Sequence, residues 1–106
     1  MTARLGDVLP VANCPEPVEG KWYFYILLCQ DQSFYVGSTD NLSRRLQEHQ
    51  LGEASVWTRL RRPVRLVYWE GYGSLVKARR REKQVKGWVR EKKVRLVKGE
   101  WKQLFN

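Results

Sequence analysis

The stretch Trp22–Cys29, with the sequence WYFYILLC, constrains the fold more than any other part of this 106-residue chain. It is continuously apolar, rich in aromatic side chains, and short for a helix, so it predicts a strand that is buried on both faces. A polar turn at Gln30–Ser33 and a second strand at Phe34–Thr39 follow it directly. The two strands together predict a β-hairpin.

The later elements follow from cap and turn residues. Asp40 is expected to cap a helix over Asn41–Leu51, which Gly52 would end. A basic loop, Gly52–Arg62, is expected to end at Pro63. The remaining predicted elements are a third strand at Val64–Tyr72, a helix from the cap Ser74 to about Lys86, a break at Gly87 and a short helix within Trp88–Lys98.

The chain is expected to form one domain with two terminal segments. Residues 1–20 contain three of the four prolines and show no clear period, so they predict an irregular extension. Residues 21–98 hold all the predicted elements and are expected to form the domain, and residues 99–106 form a tail. Trp101 and Phe105 of the tail either pack locally or pair between chains, which leaves the oligomeric state open.

Positive charge is concentrated in the second part of the sequence. The formal net charge is +9, yet residues 1–40 hold two basic and five acidic side chains, whereas residues 41–106 hold 18 basic and six acidic ones. A one-sided positive field attracts polyanions, so we expect a nucleic-acid partner. The alternative is a solvated surface that only keeps the protein soluble. The side chains expected to grip the nucleic-acid backbone are Arg59, Arg61, Arg62, Arg79, Arg80 and Lys83.

Other classes of protein are disfavoured. No apolar stretch approaches the roughly 18 residues that span a bilayer, so no membrane partner is expected. The N-terminus lacks the pattern of a secretory signal, and Cys14 and Cys29 are too few for a disulfide framework. No Cys/His spacing indicates zinc. A reduced, cytoplasmic location is therefore the expectation.

One acidic residue stands in the apolar stripe of the predicted helix after Ser74. At about 100° per residue, Glu82 falls among Leu75, Ala78 and Val85 on the helical wheel. Burying an ionised carboxylate is costly unless a cation, a metal or a set of hydrogen-bond donors compensates. Glu82 is therefore a candidate functional residue, and the alternative is a salt bridge to a nearby arginine.

The preceding helix repeats this pattern with two basic residues. Arg45 and His49 are four residues apart, so they stack on one side of the helix, next to the stripe of Leu42 and Leu46. The alternative is a boundary pair that merely buries its aliphatic stems. An arginine followed one turn later by a histidine, both facing the sheet, makes a second candidate group.

The two strands of the hairpin contribute Tyr25 and Tyr35. Packing alone explains a tyrosine in a core. Their phenol groups bear on function only if both face the side of Arg45 and Glu82, which in a hairpin requires an odd-length loop or a bulge. Gly37 would allow a bulge or the close approach of a ligand.

These residues carry a resemblance to a known family. The segments Phe24–Ile26 and Tyr35–Gly37 resemble the two halves of the GIY-YIG nuclease signature. The resemblance continues through Asn41–Leu46 and His49 and extends to Arg81–Trp88, so it covers about residues 21–98. Within the superfamily, the chain is similar to the small, stand-alone bacterial YhbQ-like (UPF0213-type) branch.

The resemblance implies a fold, an activity and a set of roles. The fold is α+β, with a small three-stranded antiparallel sheet flanked by helices. The implied activity is endonuclease-like hydrolysis of a nucleic-acid phosphodiester, with DNA favoured over RNA, using one divalent ion, Mg²⁺ or Mn²⁺. Low sequence specificity is expected because the 106 residues show no separate DNA-recognition domain. Glu82 would be the protein's carboxylate on the metal, and Tyr25 would activate the attacking water. Arg45 would hold the scissile phosphate, Tyr35 would orient phosphate or water, and His49 would assist proton transfer or substrate positioning.

The chain departs from the family pattern at a few positions. Phe24 replaces the first glycine of the signature, and Ser38 stands where the repair-nuclease branch often has lysine. An asparagine that the same branch carries downstream has no counterpart within Val89–Lys98. A non-catalytic DNA- or RNA-binding module on the same fold is the alternative function, and a ribosome-associated structural protein is a third.

Overall fold

A three-stranded antiparallel sheet forms the centre of the protein. A computed structural model describes residues 4–100. The strands are β1 (Trp22–Cys29), β2 (Phe34–Thr39) and β3 (Val64–Tyr72), in the spatial order β2-β1-β3. The predicted bounds of all three strands are confirmed. β1 is apolar along its whole length because it is the middle strand and both of its faces are covered.

Helices cover both faces of the sheet. They are α1 (Leu5–Val8), α2 (Leu42–Leu51), α3 (Val56–Arg59), α4 (Leu75–Lys86) and α5 (Arg90–Val97). On one face, Phe24 and Ile26 of β1 pack with Val85 of α4 and Leu96 of α5. On the other face, Tyr25 and its neighbours pack with side chains of α2, including Leu42 and Leu46. The predicted α+β class, with a small antiparallel sheet flanked by helices, is confirmed.

The structure corrects two predictions about helix boundaries. Asn41, rather than Asp40, is the N-cap of α2, and its side chain accepts a hydrogen bond from the backbone N–H of Arg44. The predicted basic loop over 52–62 contains the short helix α3, which Ser55 caps by accepting a hydrogen bond from Thr58 N at 3.0 Å. A four-residue helix is too short to show a hydrophobic period, so only its cap was visible in the sequence.

The N-terminal extension lies against the outer edge of β3. Its predicted irregular conformation is wrong for α1, and Leu9 is buried in the core. Ala12 N donates to Leu66 O at 2.9 Å, and the indole N–H of Trp69 donates to Asn13 O at 2.7 Å. Packing and hydrogen bonds therefore order this segment although it has no periodic pattern.

Some predictions are not tested by the described residues. The tail residues Trp101 and Phe105 lie outside residues 4–100. The division of the chain at residues 20 and 98 also stays a prediction. Within the described range, no helix combines the length and the apolar character needed to cross a membrane.

Candidate active site

Tyr25 and Tyr35 lie on the same face of the sheet. Tyr25 pairs with Gly37, and Leu27 pairs with Tyr35, across the β1–β2 ladder. Directly paired residues share a face, as do residues two apart on one strand, so both phenol rings are on the side covered by α2. The loop Gln30–Gln32 is odd in length, which is one of the two conditions that the sequence set for this arrangement.

Gly37 makes room for the ring of Tyr25. A Cβ atom at Gly37 would lie 2.6 Å from Tyr25 Oη and 2.7 Å from Tyr25 Cζ, closer than real Cβ atoms approach other atoms. The ladder between β1 and β2 is regular at this point, so the bulge that Gly37 would allow does not form. The close approach that Gly37 allows is made by the tyrosine of the facing strand.

His49 is fully buried and joins two elements by hydrogen bonds. Its Nε2 atom lies 2.8 Å from Tyr25 Oη, and its Nδ1 atom lies 2.9 Å from Thr58 Oγ1. Thr58 Oγ1 is in turn 2.7 Å from Ser55 Oγ. A chain of hydrogen bonds therefore runs from the hydroxyl of Tyr25 through the imidazole to α3.

Burial decides the protonation states of this chain. Burial, with a smaller contribution from the cation of Arg45, lowers the pKa of His49 to about 4, so the imidazole is neutral at pH 7. Burial also raises the pKa of Tyr25 far above its usual value, and the neighbouring Tyr35 raises it further. Arg45 lowers the pKa of Tyr25, but by less than burial raises it. The cation of Arg45 therefore favours the phenolate of Tyr25, but not enough to offset burial in the protein by itself.

Arg45 lies beside the tyrosines with an incompletely used guanidinium group. It lowers the pKa values of Tyr25 and Tyr35, which places its charge near both hydroxyls. Arg45 Nε is 3.4 Å from Glu48 Oε1, yet this buried nitrogen makes no hydrogen bond within residues 4–100. A planar guanidinium with a spare donor suits a phosphate oxygen.

Glu82 approaches the same strand from the other face of the sheet. It lies on α4, and it accepts a hydrogen bond from the hydroxyl of Ser38 on β2. Its side chain is 24% exposed, and Lys86 Nζ lies 3.7 Å from its Oε2 atom. Its negative charge raises the pKa values of Tyr25 and Tyr35, so the carboxylate is within electrostatic reach of both phenols.

The neighbouring Arg81 fixes α4 on the sheet. Arg81 Nε and one terminal nitrogen donate to the two carboxylate oxygens of Glu70 at 2.9 and 3.1 Å, and the hydroxyls of Tyr68 and Tyr72 donate to the same carboxylate. Burial alone would raise the pKa of Glu70, but these hydrogen bonds outweigh it and the pKa is lowered. Arg81 therefore pairs with Glu70 of β3, and the helix is anchored one residue before Glu82.

The donor set around Glu82 fits a hard divalent cation. Among residues 4–100, no group of three or more His, Cys, Asp or Glu side chains is placed to hold a metal ion. Glu82 supplies one partly exposed carboxylate, with the hydroxyl of Ser38 next to it. Mg²⁺ keeps several waters and is commonly held by one or two carboxylates together with substrate phosphates. A single carboxylate is thus compatible with Mg²⁺ or Mn²⁺, because water molecules and substrate phosphate oxygens would complete the coordination shell of the ion.

The basic residues predicted to grip nucleic acid do not form one patch. Arg59, Arg62, Arg79, Arg80 and Lys83 are exposed. On the wheel of α4, Arg79 and Lys83 lie on one side of Glu82, whereas Arg80 lies roughly opposite it and borders Tyr72. Arg61 is half-buried, 3.2 Å from Asp31 and stacked on Trp57.

Three residues near the site were missed by the sequence analysis. Thr58 belongs to a helix that no period revealed, although the cap residue Ser55 was a usable sign of it. Ser38 was noted only as a departure from a family pattern, yet it binds Glu82. Lys86 pairs with Glu82, and the spacing of four residues on one helix is a sequence sign of that contact.

The small antiparallel sheet thus carries the two tyrosines on one face, while Glu82 reaches the outer strand β2 from the other face. Residues 21–95 match the family model described as the GIY-YIG catalytic domain. This match covers most of the chain, so the chain belongs to the GIY-YIG family, and the resemblance stated above is confirmed. The family implies a nuclease-type hydrolase domain with a nucleic-acid substrate.

Similar proteins carry the name UPF0213. A UPF0213 protein of Natronomonas pharaonis is 45% identical over 78 residues, which are 74% of this chain and 92% of that protein. A UPF0213 protein of Staphylococcus aureus is 40% identical and is matched over 93% of its length by 72% of this chain. A solution NMR structure of a protein from E. faecalis is 37% identical, with a TM-score of 0.56, over 80% of this chain and 90% of that one.

Proposed function

We propose that the protein is an endonuclease that hydrolyses nucleic-acid phosphodiester bonds, with DNA favoured and with one divalent ion held by Glu82. One observation carries the proposal: the ring of Tyr35 packs beside the buried, hydrogen-bonded pair Tyr25 and His49. The charges of Arg45 and of Glu82, which approaches β2 from the other face of the sheet, act on both phenols. Phosphodiester hydrolysis needs an activated water, a held phosphate and a stabilised leaving group. These side chains offer one group for each need.

Arg45 binds the scissile phosphate in this proposal. Its Nε atom has no hydrogen-bond partner within residues 4–100, and its side chain is 36% exposed. A phosphate oxygen would satisfy that donor and share the fork of the guanidinium. Tyr35, which is half-buried next to it, orients the phosphate or the water through its hydroxyl.

Tyr25 acts as a proton relay rather than as a preformed phenolate. A neutral His49 carries one proton, which this proposal assigns to Nδ1. In that tautomer Nδ1 donates to Thr58 Oγ1, and Nε2 accepts a hydrogen bond from the hydroxyl of Tyr25. The lone pairs of the phenol oxygen are then free to accept a proton from the attacking water. As that proton arrives, the original phenol proton passes to His49. The raised pKa of Tyr25 suits this order, since no charged phenolate forms before the reaction.

The divalent ion, when bound, would polarise the phosphate and stabilise the leaving oxygen. Glu82 holds it with one carboxylate, and the hydroxyl of Ser38 keeps that carboxylate oriented. Outside the centre, we propose that basic side chains contact the nucleic-acid backbone; these are the exposed Arg59, Arg62, Arg79, Arg80 and Lys83 and the half-buried Arg61.

A metal-dependent nicking assay tests this function. The full chain is incubated with duplex, single-stranded and branched DNA, and with RNA, in Mg²⁺, Mn²⁺ or EDTA. We expect cleavage only with a divalent ion, and a loss of about 100-fold or more in Glu82→Gln and in Arg45→Gln, because each removes a group that acts on developing charge. Glu91→Gln is the matched control, since Glu91 is an exposed carboxylate on α5 that pairs only with Arg95 within residues 4–100.

The possible outcomes separate the two leading functions. Circular dichroism of each variant shows whether the fold is kept. A folded wild-type protein that binds DNA equally in Mg²⁺ and EDTA and never cleaves it would support the non-catalytic binding module instead. Cleavage that survives in Glu82→Gln would exclude Glu82 as the metal ligand.

A further inference from the structure

A depression beside Tyr35 has no role in the steps described above. Its lining consists of the β2 residues Phe34, Tyr35 and Val36, with Trp57 of α3 and two lysines, Lys86 of α4 and Lys93 of α5. The cavity has a volume of about 340 Å³ and is mainly apolar. We call it the β2 depression. It shares Tyr35 with the candidate active site, and Lys86 connects it to Glu82 at 3.7 Å.

The charge around the β2 depression is positive. No carboxylate is among its lining residues in the described part of the chain. Lys93 is half-buried and makes no ion pair within residues 4–100, and burial together with the nearby Arg90 and Lys86 lowers its pKa. Arg90 adds a third cation, with its guanidinium carbon 5.1 Å from the centre of the Phe34 ring. An anion bound here would offset the repulsion among these cations.

The aromatic wall of the β2 depression is held in place. The guanidinium carbon of Arg61 lies 4.0 Å from the centre of the Trp57 ring, and Arg61 is itself held by Asp31 and by the carbonyl of Trp57. The rings of Trp57 and Tyr35 are 6.0 Å apart and inclined by 32°. Trp57 nevertheless remains 37% exposed. A fixed, exposed aromatic ring beside cationic side chains is the arrangement with which proteins bind the bases and phosphates of single strands.

We propose that the β2 depression binds one unpaired nucleotide, with its base against Trp57 and Tyr35 and its phosphate on Lys86 and Lys93. An apolar wall with cationic rims matches a nucleotide, which has a flat, weakly polar base next to a negative phosphate. The placement of this nucleotide next to the scissile phosphate rests on the proposed nuclease function, because the depression shares Tyr35 with that site. The preferred substrate is therefore a nucleic acid with a single-stranded segment at the point of cleavage.

Binding without metal tests the inference separately from catalysis. Fluorescence anisotropy in EDTA compares a labelled 12-nucleotide single strand with the same strand carrying abasic positions throughout its middle. The full-length wild-type protein is expected to bind the strand with bases about tenfold more tightly, because base–aromatic stacking contributes to binding and the phosphates are unchanged. Equal affinity for the two strands would overturn the proposal without the need for any variant.

Variants test whether the preference for strands with bases is due to the β2 depression. Trp57→Leu is expected to remove most of the roughly tenfold difference in affinity between the strand with bases and the abasic strand. Lys93→Gln is expected to weaken binding of both strands by a similar factor. The matched controls are Val56→Ala, an exposed neighbour on α3, and Lys98→Gln, an exposed lysine beyond α5, and both should bind as wild type. A folded Trp57→Leu protein that keeps the full ratio would show that the base binds elsewhere.

Failure of this inference can be told from failure of the proposed function. A protein that prefers strands with bases, loses that preference in Trp57→Leu, and cleaves nothing would keep the nucleotide site and lose the nuclease. A protein that cleaves fully paired duplex as fast as the same duplex with an unpaired segment, and shows no preference for bases, would keep the nuclease and lose the nucleotide site.

Discussion

Replacing Gly37 by alanine tests the central packing of the site. The new methyl carbon would lie 2.6 Å from Tyr25 Oη and 2.7 Å from Tyr25 Cζ, whereas ordinary contacts begin near 3.4 Å. The ring of Tyr25 is fully buried and cannot swing into solvent. It has to shift by several tenths of an ångström, and its 2.8 Å hydrogen bond to His49 lengthens or breaks.

The expected cost follows from these two effects. Overpacking in a core costs about 1–3 kcal/mol. A buried donor or acceptor that loses its partner costs about 1–3 kcal/mol more. Alanine in place of glycine also restricts the unfolded chain, which offsets about 0.4–1 kcal/mol. We therefore expect Gly37→Ala to lower the free energy of unfolding by about 2–4 kcal/mol and the Tm by roughly 10 °C or more.

Urea unfolding followed by circular dichroism measures this change. The matched control is Gly73→Ala, because a Cβ atom at Gly73 meets nothing within 4 Å and its φ is not positive. That control is expected to stay within about 0.5 kcal/mol of wild type or to gain slightly. If Gly37→Ala is as stable as Gly73→Ala, the close fit between Gly37 and Tyr25 does not constrain the site and the reasoning is refuted.

Two further predictions concern the buried histidine. His49 has a pKa of about 4 in the folded protein, against 6.5 for a histidine exposed to water. As the pH falls, the unfolded chain therefore takes up the His49 proton before the folded protein does. The stability that depends on a neutral His49 is complete above pH 6.5 and is lost as the pH falls towards 4. The chain contains one histidine, so urea unfolding of wild type and His49→Gln between pH 7 and 5 isolates this effect, and parallel pH dependences of the two proteins would contradict it. Thr58→Val removes the partner of His49 Nδ1 and should cost about 1–3 kcal/mol, whereas Thr58→Ser keeps the hydroxyl and should restore the imidazole tautomer seen in nitrogen NMR shifts of wild type. Equal tautomer mixtures in both Thr58 variants would mean that Thr58 only packs.

Much of the fold was predictable because its elements have strong local patterns. The apolar run of β1 and the caps at Ser55 and Ser74 are readable from the sequence alone, although a cap without a following period does not by itself predict a helix at α3. Glu82 stood out because a carboxylate in an apolar stripe needs a reason. The sequence showed that Tyr25 and Tyr35 share a face only if the hairpin has a loop of odd length or a bulge, and it did not decide between these conditions.

The protonation states and the second layer of the site were not predictable in this way. The net shift in the pKa of Tyr25 depends on how completely the folded chain buries the ring, and a sequence does not show that burial. The contact between His49 and Thr58 joins two helices across nine residues, and α3 is too short to carry a period. Arg81 illustrates the same limit, since one arginine in a basic run turns out to be an internal brace for α4.

The N-terminal segment makes the two outer edges of the sheet, at β3 and at β2, different from each other. An outer strand normally presents unpaired N–H and C=O groups on which another chain can assemble. Ala12 N–H occupies one such group on β3, the carbonyl of Leu66, and Asn13 O accepts from the side-chain indole N–H of Trp69. The segment that carries Ala12 and Asn13 also holds Asp7, Glu16 and Glu19. One border of the sheet is thereby partly covered by a segment with more acidic than basic side chains, while the β2 border carries Tyr35 with Lys86 and Lys93 beside it. We therefore expect a polyanion to approach the β2 border more readily than the β3 border, because the acidic extension repels it without being part of the site.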